Sequence, residues 1–212
     1  MQKMKHFIWD FDGTLFDTYP MITESFQAAL RDFGVMVLRE ELRRMMMESL
    51  RWTFRFFREQ CGLDERLVDR YNEYMQKESP KTSPPFPYAK KTCERIYLTG
   101  GRNYLLTHRN ESAKLFLSES YMLPFFTECV TVENGFPHKP APDAMYYLLG
   151  KYHMKKEETV MIGDRELDIQ CGKNAGIRTC FLANGSGQSG FGADWYFETM
   201  DDLYRDLFSN AE

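Results

Sequence analysis

Two aspartates directly follow an apolar run near the start of the chain. Residues 7–11 are aromatic and β-branched, which predicts a short buried parallel strand, and Asp10 and Asp12 stand at its carboxyl end. Open α/β sheets bind their ligands at the carboxyl ends of their strands. Alternation along a strand brings both carboxylates to the same side, where their negative charges repel unless a cation or a shared proton relieves them. A magnesium ion is the simplest candidate.

The segment from Asp10 to Gly13 would also suit a carboxylate-capped turn, because aspartate and glycine are common turn residues. The longer pattern is more specific. A hydrophobic strand followed by Asp-x-Asp-Gly-Thr-Leu-x-Asp, which ends at Asp17, resembles the first motif of the haloacid dehalogenase superfamily of phosphotransferases. The resemblance implies that Asp10 is the nucleophile of a phosphoryl transfer.

Two later segments resemble the second and third motifs of that superfamily. Thr107 ends a predicted strand, and its hydroxyl with nearby backbone amides could hold a phosphoryl oxygen. Lys139 is followed by Pro140 and Pro142, as in the Lys-Pro-x-Pro element of the phosphoglycolate-phosphatase-like branch. Its ammonium group would pair with the nucleophile and with phosphoryl oxygens, and so neutralise charge that repels the attack. Taken singly, a threonine at a strand end and a lysine in a loop are both ordinary features.

The pair Gly163-Asp164, with Asp168 four residues after the aspartate, resembles the fourth motif. Asp164 at the tip of a strand can complete an oxygen-rich magnesium site with Asp10, and Asp168 would support that site from the following turn. A helix N-cap is the structural alternative for Asp164, since aspartate is favoured there. The four motifs follow the superfamily's order on predicted strands, which favours the catalytic interpretation. The resemblance adds the backbone carbonyl of Asp12 as a further metal ligand.

The segment between Asp17 and Pro80 contains no predicted strand. Apolar residues recur there at helical spacing, first from about Pro20 to Phe33, and then in three further predicted helices at about 39–47, 49–60 and 64–77. This pattern predicts a helical module inserted after the first strand. It resembles the type 1 cap of the branch that contains phosphoglycolate phosphatases and β-phosphoglucomutases. The predicted domains are a core of residues 1–17 and 84–212 and an α-helical cap of residues 18–83.

Helices and strands alternate after the helical module. Strands are predicted at 103–107, 128–132, 159–162, 178–182 and 195–197, and helices at 89–99, 111–121, 140–153, 166–175 and 201–208. Such alternation predicts a parallel sheet between helical layers. The expected fold is therefore α/β, with a Rossmann-like three-layer parallel sheet and an inserted α-helical cap domain. Tyr88, after Pro87, departs from the family pattern, which usually has glycine there.

Composition gives no sign of a nucleic-acid or membrane partner. The 212 residues carry a net charge of −4 with basic and acidic residues interspersed, and no stretch approaches the roughly 20 apolar residues of a membrane span. The five cysteines are scattered without a Cys-x-x-Cys pair, which favours reduced, mostly buried thiols over disulfides or a zinc site. We expect a soluble, cytoplasmic protein that binds neither nucleic acid nor membrane. We predict a monomer, with a homodimer as the alternative.

The resemblance also implies a mechanism. Asp10 would attack phosphorus in line and form an aspartyl-phosphate, with Mg²⁺ as the cofactor. Asp12 would protonate the leaving oxygen and then take a proton from the water that hydrolyses the intermediate. Thr107, His108 and Lys139 would contact the substrate's phosphoryl group. The cap would close over the core and exclude water.

The substrate is harder to predict, because the cap carries no fixed motif. Arg51, with Arg43 and Arg44 nearby, is a candidate for binding a substrate carboxylate or second phosphate, although arginines on amphipathic helices are commonly solvated. We predict a magnesium-dependent phosphatase of a small phosphorylated metabolite, similar to phosphoglycolate or a sugar phosphate. The alternatives are a phosphomutase similar to β-phosphoglucomutase, in which a sugar hydroxyl accepts the phosphoryl group, and a non-catalytic binding module.

Overall fold

The computed structural model describes residue 1 and residues 3–209. Residue 2 and residues 210–212, which fall within the predicted core domain, lie outside that description. The chain divides into two compact units, one of Met1–Phe16 with the chain from Pro85 onward, and one of Asp17–Pro84. All four motifs lie in the first unit, apart from Asp17 at the end of the first motif.

A parallel sheet forms the centre of the first unit. In the described part of the chain it has six strands in the order β3-β2-β1-β4-β5-β6, and every neighbouring pair is parallel. The strands are β1 His6–Trp9, β2 Arg102–Leu106, β3 Phe126–Val130, β4 Thr159–Gly163, β5 Arg178–Leu182 and β6 Trp195–Phe197. The predicted α/β fold with a parallel sheet is confirmed. Because β1 lies between β2 and β4, three of the four motif segments leave adjacent strands.

Helices precede, follow and connect these strands. The second unit contains α1 Tyr19–Asp32, α2 Arg39–Cys61 and α3 Arg66–Met75. The first unit contains α4 Ala89–Leu98, α5 Ser112–Glu119, α6 Asp143–Lys151, α7 Glu166–Ala175 and α8 Met200–Phe208. Short 3₁₀ helices occur at Leu123–Phe125, Val132–Asn134 and Lys156–Glu158.

Alternating side chains of the sheet pack against two layers of helices. On β1, Phe7 and Trp9 lie in a core with residues of α4, α5 and α8, whereas Ile8 lies in a second core with residues of α6 and α7. The buried indole of Trp9 is satisfied, because its Nε1 donates to Asn103 Oδ1 at 2.9 Å. Burial on both faces is typical of a parallel strand and fixes β1 as a rigid support for the loop that follows it.

The second unit has its own apolar core. Phe26 and Leu30 of α1 pack with Phe57 of α2 and Leu67 of α3. The helix α2 is interrupted at Ser49, whose φ of −164° and ψ of 113° are extended, and Ser49 Oγ accepts from the backbone N–H of Trp52 at 3.2 Å. This break lies where the sequence predicts that one helix ends and the next begins. The assignment of the unit as a cap stays a prediction.

Tyr88 occupies the position where the family pattern has glycine. Its φ of 68° lies in the left-handed region, immediately before α4. That conformation costs an L-residue about 1–2 kcal/mol. The Tyr88 ring packs 5.4 Å from the ring of Tyr204, and the ammonium group of Lys91 lies 5.0 Å from its centre. These contacts oppose the backbone cost and explain how a tyrosine is tolerated.

The structure bears on the two predictions made from composition, one about the cysteines and one about membrane spans. All five cysteines are free, and Cys93, Cys171 and Cys180 are buried, as predicted. Among the helices that the structure describes, none combines the length and the apolar character needed to cross a membrane.

Candidate active site

Asp10 is held at the centre of the sheet's carboxyl edge. The strand β1 ends at Trp9, earlier than the predicted residue 11, but the backbone N–H of Asp10 still donates to Ile162 O of β4 at 2.9 Å. The residue is 1% exposed. The neighbouring strand therefore fixes the backbone of Asp10, and its carboxylate lies in a buried environment.

A tight loop follows Asp10 and carries Asp12. The carbonyl oxygen of Phe11 accepts from the backbone N–H groups of Leu15 and Phe16, at 3.0 and 3.1 Å. Gly13, with φ of 76°, makes the turn in a conformation that only glycine adopts without cost. The loop turns the chain out of the sheet after two residues, which explains why β1 is shorter than predicted.

Lys139 reaches Asp10 from a loop before α6. Its Nζ lies 2.5 Å from Asp10 Oδ1 and 2.6 Å from Asp168 Oδ1, and it donates to Leu106 O at 3.1 Å. The lysine side chain is 2% exposed. One buried ammonium group is therefore shared by two buried carboxylates and the end of β2.

Three carboxylates converge on one point. Ligand oxygens of Asp10, Asp164 and Asp168 lie within 4.8 Å of one another, and all three residues are buried. Although Asp10 Oδ2 is also buried, no hydrogen bond reaches it from the residues that the structure describes. Buried polar atoms are normally satisfied, and carboxylate oxygens are the ligands that Mg²⁺ prefers. The donor set therefore fits a hard divalent cation.

The electrostatics of this cluster also favour an added positive charge. Burial, and then the negative charge of Asp168, raise the pKa of Asp10 to about 6 against the opposing effects of Lys139 and Arg165. Burial lowers the pKa of Lys139, but Asp10 and Asp168 raise it more, so it lies above its ordinary value. Lys139 thus stays an ammonium ion, and its single charge does not fully stabilise Asp10 as a carboxylate.

Thr107 and His108 follow β2 on the same edge. Thr107 is buried, its N–H donates to Val130 O at 3.0 Å, and its Oγ1 accepts from the N–H of Arg109 at 3.0 Å. His108 Nε2 accepts from the backbone N–H of Lys139 at 2.8 Å, so the neutral ring carries its proton on Nδ1. Burial, and then the charge of Lys139, lower the pKa of His108 to about 2. His108 therefore orients the Lys139 loop.

Asp12 pairs with a residue that the sequence analysis did not single out. Its Oδ1 accepts from Arg109 Nη2 at 2.5 Å, with side chains 21% and 10% exposed. Arg109 lies two residues after Thr107, within the segment that resembles the second motif. The sequence did offer one signal of this pairing. A basic residue lies within the segment that resembles the second motif, and the first motif is acidic.

Asn184 and Thr14 support the loop and were also missed. Asn184 Nδ2 donates to the backbone oxygens of Gly13 and Thr14, at 2.9 and 3.2 Å. Thr14 Oγ1 in turn donates to Asp164 Oδ1 at 3.1 Å. Asn184 follows β5, so its place beyond the carboxyl end of a predicted strand was the signal that could have found it.

The structure thus brings together most of the predicted site residues. Asp10, Asp164, Asp168 and Lys139 form one buried cluster, and the remaining predicted residues of the first unit, Asp12, Thr107 and His108, leave β1 and β2 beside it. Arg51 lies in α2 of the second unit with an exposed side chain. Its assignment as a substrate-binding residue stays a prediction.

Gly163 lets Asp168 approach the end of β4. A Cβ atom at position 163 would lie 2.3 Å from the Cβ and 2.5 Å from the Oδ2 of Asp168. We expect Gly163→Ala to push Asp168 away from Lys139 and to lower the free energy of unfolding by roughly 1–3 kcal/mol, as measured by denaturant titration. An unchanged stability would contradict the close approach.

Gly150→Ala is the matched control for that substitution. Gly150 lies in α6, where an added Cβ would meet no heavy atom within 4 Å. Because glycine is unfavourable inside a helix, this variant should be more stable than the wild type by about 0.5–1 kcal/mol. The two alanine variants are expected to shift stability in opposite directions.

Comparison with known proteins assigns the family. The model of the haloacid dehalogenase-like hydrolases matches residues 7–182, which include all four motifs. The chain belongs to this family. The resemblance noted in the sequence is confirmed, and this hydrolase carries an aspartate at both acidic positions of the first motif, Asp10 and Asp12.

Individual relatives of this hydrolase match it over most of its length. It is 25% identical over 185 residues to pyrophosphatase PpaX of Oceanobacillus iheyensis, covering 85% of this chain and 84% of that protein. It is 26% identical over 208 residues to pyrophosphatase PpaX of Listeria innocua, covering 95% of each. The crystal structure of a predicted phosphoglycolate phosphatase from Haemophilus somnus superposes with a TM-score of 0.84 at 21% identity, covering 97% of this chain and 99% of that one. The last likeness shows a shared fold.

Proposed function

We propose that this hydrolase is a magnesium-dependent phosphatase that hydrolyses a small phosphorylated metabolite through an aspartyl-phosphate on Asp10. The proposal rests on the different surroundings of the two carboxylate oxygens of Asp10. Oδ1 is held by Lys139 at 2.5 Å, whereas Oδ2 is buried without a hydrogen bond from any described residue. Lys139 thus fixes the orientation of the carboxylate, and Oδ2 is available to bind a cation.

Each neighbouring group has a part in the reaction. Asp10 attacks phosphorus in line and displaces the leaving oxygen, to which Asp12 donates a proton. Asp12 then takes a proton from the water that hydrolyses the aspartyl-phosphate. Lys139 and the Thr107 hydroxyl hold the phosphoryl oxygens, and Lys139 also neutralises charge on Asp10.

The proposed metal ligands are the carboxylates of Asp10 and Asp164 and the backbone carbonyl of Asp12, with Asp168 as support. Magnesium bound there would supply positive charge that offsets repulsion between the carboxylates and the phosphoryl group. Thr14 fixes Asp164 by a hydrogen bond of 3.1 Å. Asp168 pairs with Lys139, which keeps the ammonium group close to Asp10.

The proposed substrates are small phosphate esters, similar to phosphoglycolate or a sugar phosphate. The two relatives named as pyrophosphatases add inorganic pyrophosphate to the candidates. All of these compounds present a terminal phosphoryl group, which is the part that the Asp10 cluster would bind. In the second unit, the residue proposed to bind a carboxylate or second phosphate of the substrate is Arg51.

Release of inorganic phosphate from a panel of compounds tests the proposal. The panel contains phosphoglycolate, sugar phosphates, nucleoside monophosphates and pyrophosphate, each with Mg²⁺ and with EDTA. We expect release from at least one compound, which requires Mg²⁺ and falls at least about 10²-fold in Asp164→Asn, because a metal ligand is weakened. Mg²⁺ should also raise the Tm of the wild type and not that of Asp164→Asn.

Two results would overturn the proposal. Phosphate release that is unchanged in EDTA would show that the reaction does not require a metal. No release from any compound, with conversion of one sugar phosphate into its isomer, would make the protein a phosphomutase.

A further inference from the structure

The side chain of Arg109 is fixed on three sides. Its Nη2 donates to Asp12 Oδ1 at 2.5 Å. Its guanidinium carbon lies 5.0 Å from the centre of the Phe11 ring and 5.3 Å from that of Phe116. The side chain is 10% exposed. The cation is therefore held between an acid and two aromatic rings, and it is largely screened from water.

The aromatic rings below Arg109 are themselves packed tightly. Phe11 stacks on Phe16 with ring centres 4.6 Å apart, and Phe116 meets both rings edge-on at 5.7 and 5.6 Å. Phe11 and Phe16 belong to the loop that carries Asp12, whereas Phe116 belongs to α5. The guanidinium group thus packs on aromatic rings that hold one another in place, and two of these rings belong to the loop that carries Asp12.

The backbone of Arg109 is also fixed. Its N–H donates to Thr107 Oγ1 at 3.0 Å, and its carbonyl oxygen accepts from the N–H of Val132 at 3.1 Å. Both ends of the arginine, backbone and guanidinium, are therefore anchored. An anchored arginine can impose a direction on the carboxylate that it contacts, because its planar fork of N–H donors has a defined geometry.

Each of the two proposed catalytic carboxylates has its own cation. Lys139 contacts Asp10, and Arg109 contacts Asp12. Asp12 lies on a loop beyond the end of β1, so the sheet does not fix its side chain as it fixes the backbone of Asp10. Proton transfer requires the donor within hydrogen-bond reach of the leaving oxygen, and a displacement of about 1 Å can cost about 10²-fold in rate.

We propose that Arg109 is a positioning residue, which holds the Asp12 carboxyl group where it transfers protons to the leaving oxygen and from water. This inference rests on the proposed function. Arg109 should affect the proton transfers that Asp12 performs, and it should not affect the binding of the phosphoryl group. The effect should depend on how much a substrate needs its leaving oxygen protonated.

Two substrates that differ in their leaving group test this role. The anion of p-nitrophenol leaves readily without a proton, whereas the alkoxide of β-glycerol phosphate does not. The quantity to compare is kcat/KM, which reports the steps up to formation of the aspartyl-phosphate. In Arg109→Met, we expect kcat/KM to fall at least about 10-fold more for β-glycerol phosphate than for p-nitrophenyl phosphate, since general acid catalysis is worth about 10²–10⁴-fold.

Two further variants separate positioning from a general structural role. Arg109→Lys keeps the charge, and it should recover part of the loss for β-glycerol phosphate. In an Asp12→Asn background, Arg109→Met should cause no further difference between the two substrates, because the group that it positions is gone. Arg109→Lys also serves as the test if Arg109→Met does not fold.

Three outcomes would overturn the inference while leaving the proposed function intact. One is an active wild type with equal losses for both substrates in Arg109→Met. Another is an undiminished effect of Arg109→Met in the Asp12→Asn background. The third is a rise in KM confined to phosphoglycolate, which would make Arg109 a contact for the substrate carboxylate. Absence of phosphate release by the wild type from every compound would instead contradict the proposed function itself.

Discussion

Replacement of Asp10 by asparagine is expected to abolish phosphate release while the protein stays folded. Asparagine has nearly the same shape as aspartate, but its amide cannot attack phosphorus. Removal of a covalent nucleophile costs at least about 10⁴-fold in kcat in enzymes where it has been measured, and we expect a loss of that order. The measurement is steady-state phosphate release with saturating Mg²⁺, with the near-ultraviolet circular dichroism as the control for folding.

The same variant should be more stable than the wild type when metal is absent. The pKa of Asp10 is raised from 3.8 to about 6, so the folded state disfavours its ionised form. The wild type therefore has its full stability below the pKa of Asp10 in the unfolded chain. It loses stability as the pH rises through the pKa of about 6 in the folded protein. In EDTA, the Tm advantage of Asp10→Asn should therefore be full above about pH 6 and should vanish toward pH 4. A lower Tm for the variant at neutral pH would contradict this account of the cluster.

Replacement of Lys139 by methionine is expected to cost both activity and stability. The substitution leaves Asp10 and Asp168 buried without the ammonium group that both contact. Removal of one partner from a buried ion pair costs about 3–5 kcal/mol, and we expect a loss of that size in the free energy of unfolding at neutral pH. Loss of a donor to the phosphoryl oxygens should also lower kcat by about 10²–10³-fold.

The pH dependence and a surface control make this prediction specific. At acidic pH Asp10, whose pKa is raised, binds a proton and no longer needs the ammonium group, so the stability of Lys139→Met should approach that of the wild type. Lys5 is the control, because its Nζ pairs with Glu158 at 2.9 Å while its side chain is 62% exposed. Exposed ion pairs contribute little, and Lys5→Met should leave Tm nearly unchanged. Equal effects of the two lysine substitutions would show that the buried cluster does not depend on Lys139.

The succession of elements in the first unit could be predicted, because strands and helices differ in hydrophobic period. β5, β6 and α7 lie at the predicted residues. Element ends were less predictable, since they depend on contacts outside the local pattern. The helix predicted from residue 140 begins at Asp143, because Ala141 N–H donates to His138 O and closes a turn before it. That turn belongs to the loop that delivers Lys139.

The contacts within the site could be predicted only in part. The family motifs identified the acidic residues and Lys139, since each follows or precedes a recognisable element. They did not identify Arg109, because its partner Asp12 lies 97 residues away in the chain. The pairing arises because β2 lies beside β1 in the sheet, and periodicity does not determine the order of strands. Asn184 was missed for the same reason.

Nucleophilic attack by Asp10 should leave a phosphoryl group on this residue that can be detected directly. Asp12→Asn is the suitable enzyme and p-nitrophenyl phosphate the suitable substrate. The first step then needs no proton from Asp12, whereas hydrolysis of the intermediate lacks its general base. Acid quenching during turnover, digestion and mass spectrometry would locate the group.

We expect the peptide containing Asp10 to carry one added phosphoryl group, and borohydride reduction to convert that residue to homoserine. Asp10→Asn/Asp12→Asn is the negative control and should carry none. Release of p-nitrophenol with no phosphoryl group on Asp10, or with one on another residue, would contradict nucleophilic attack by Asp10.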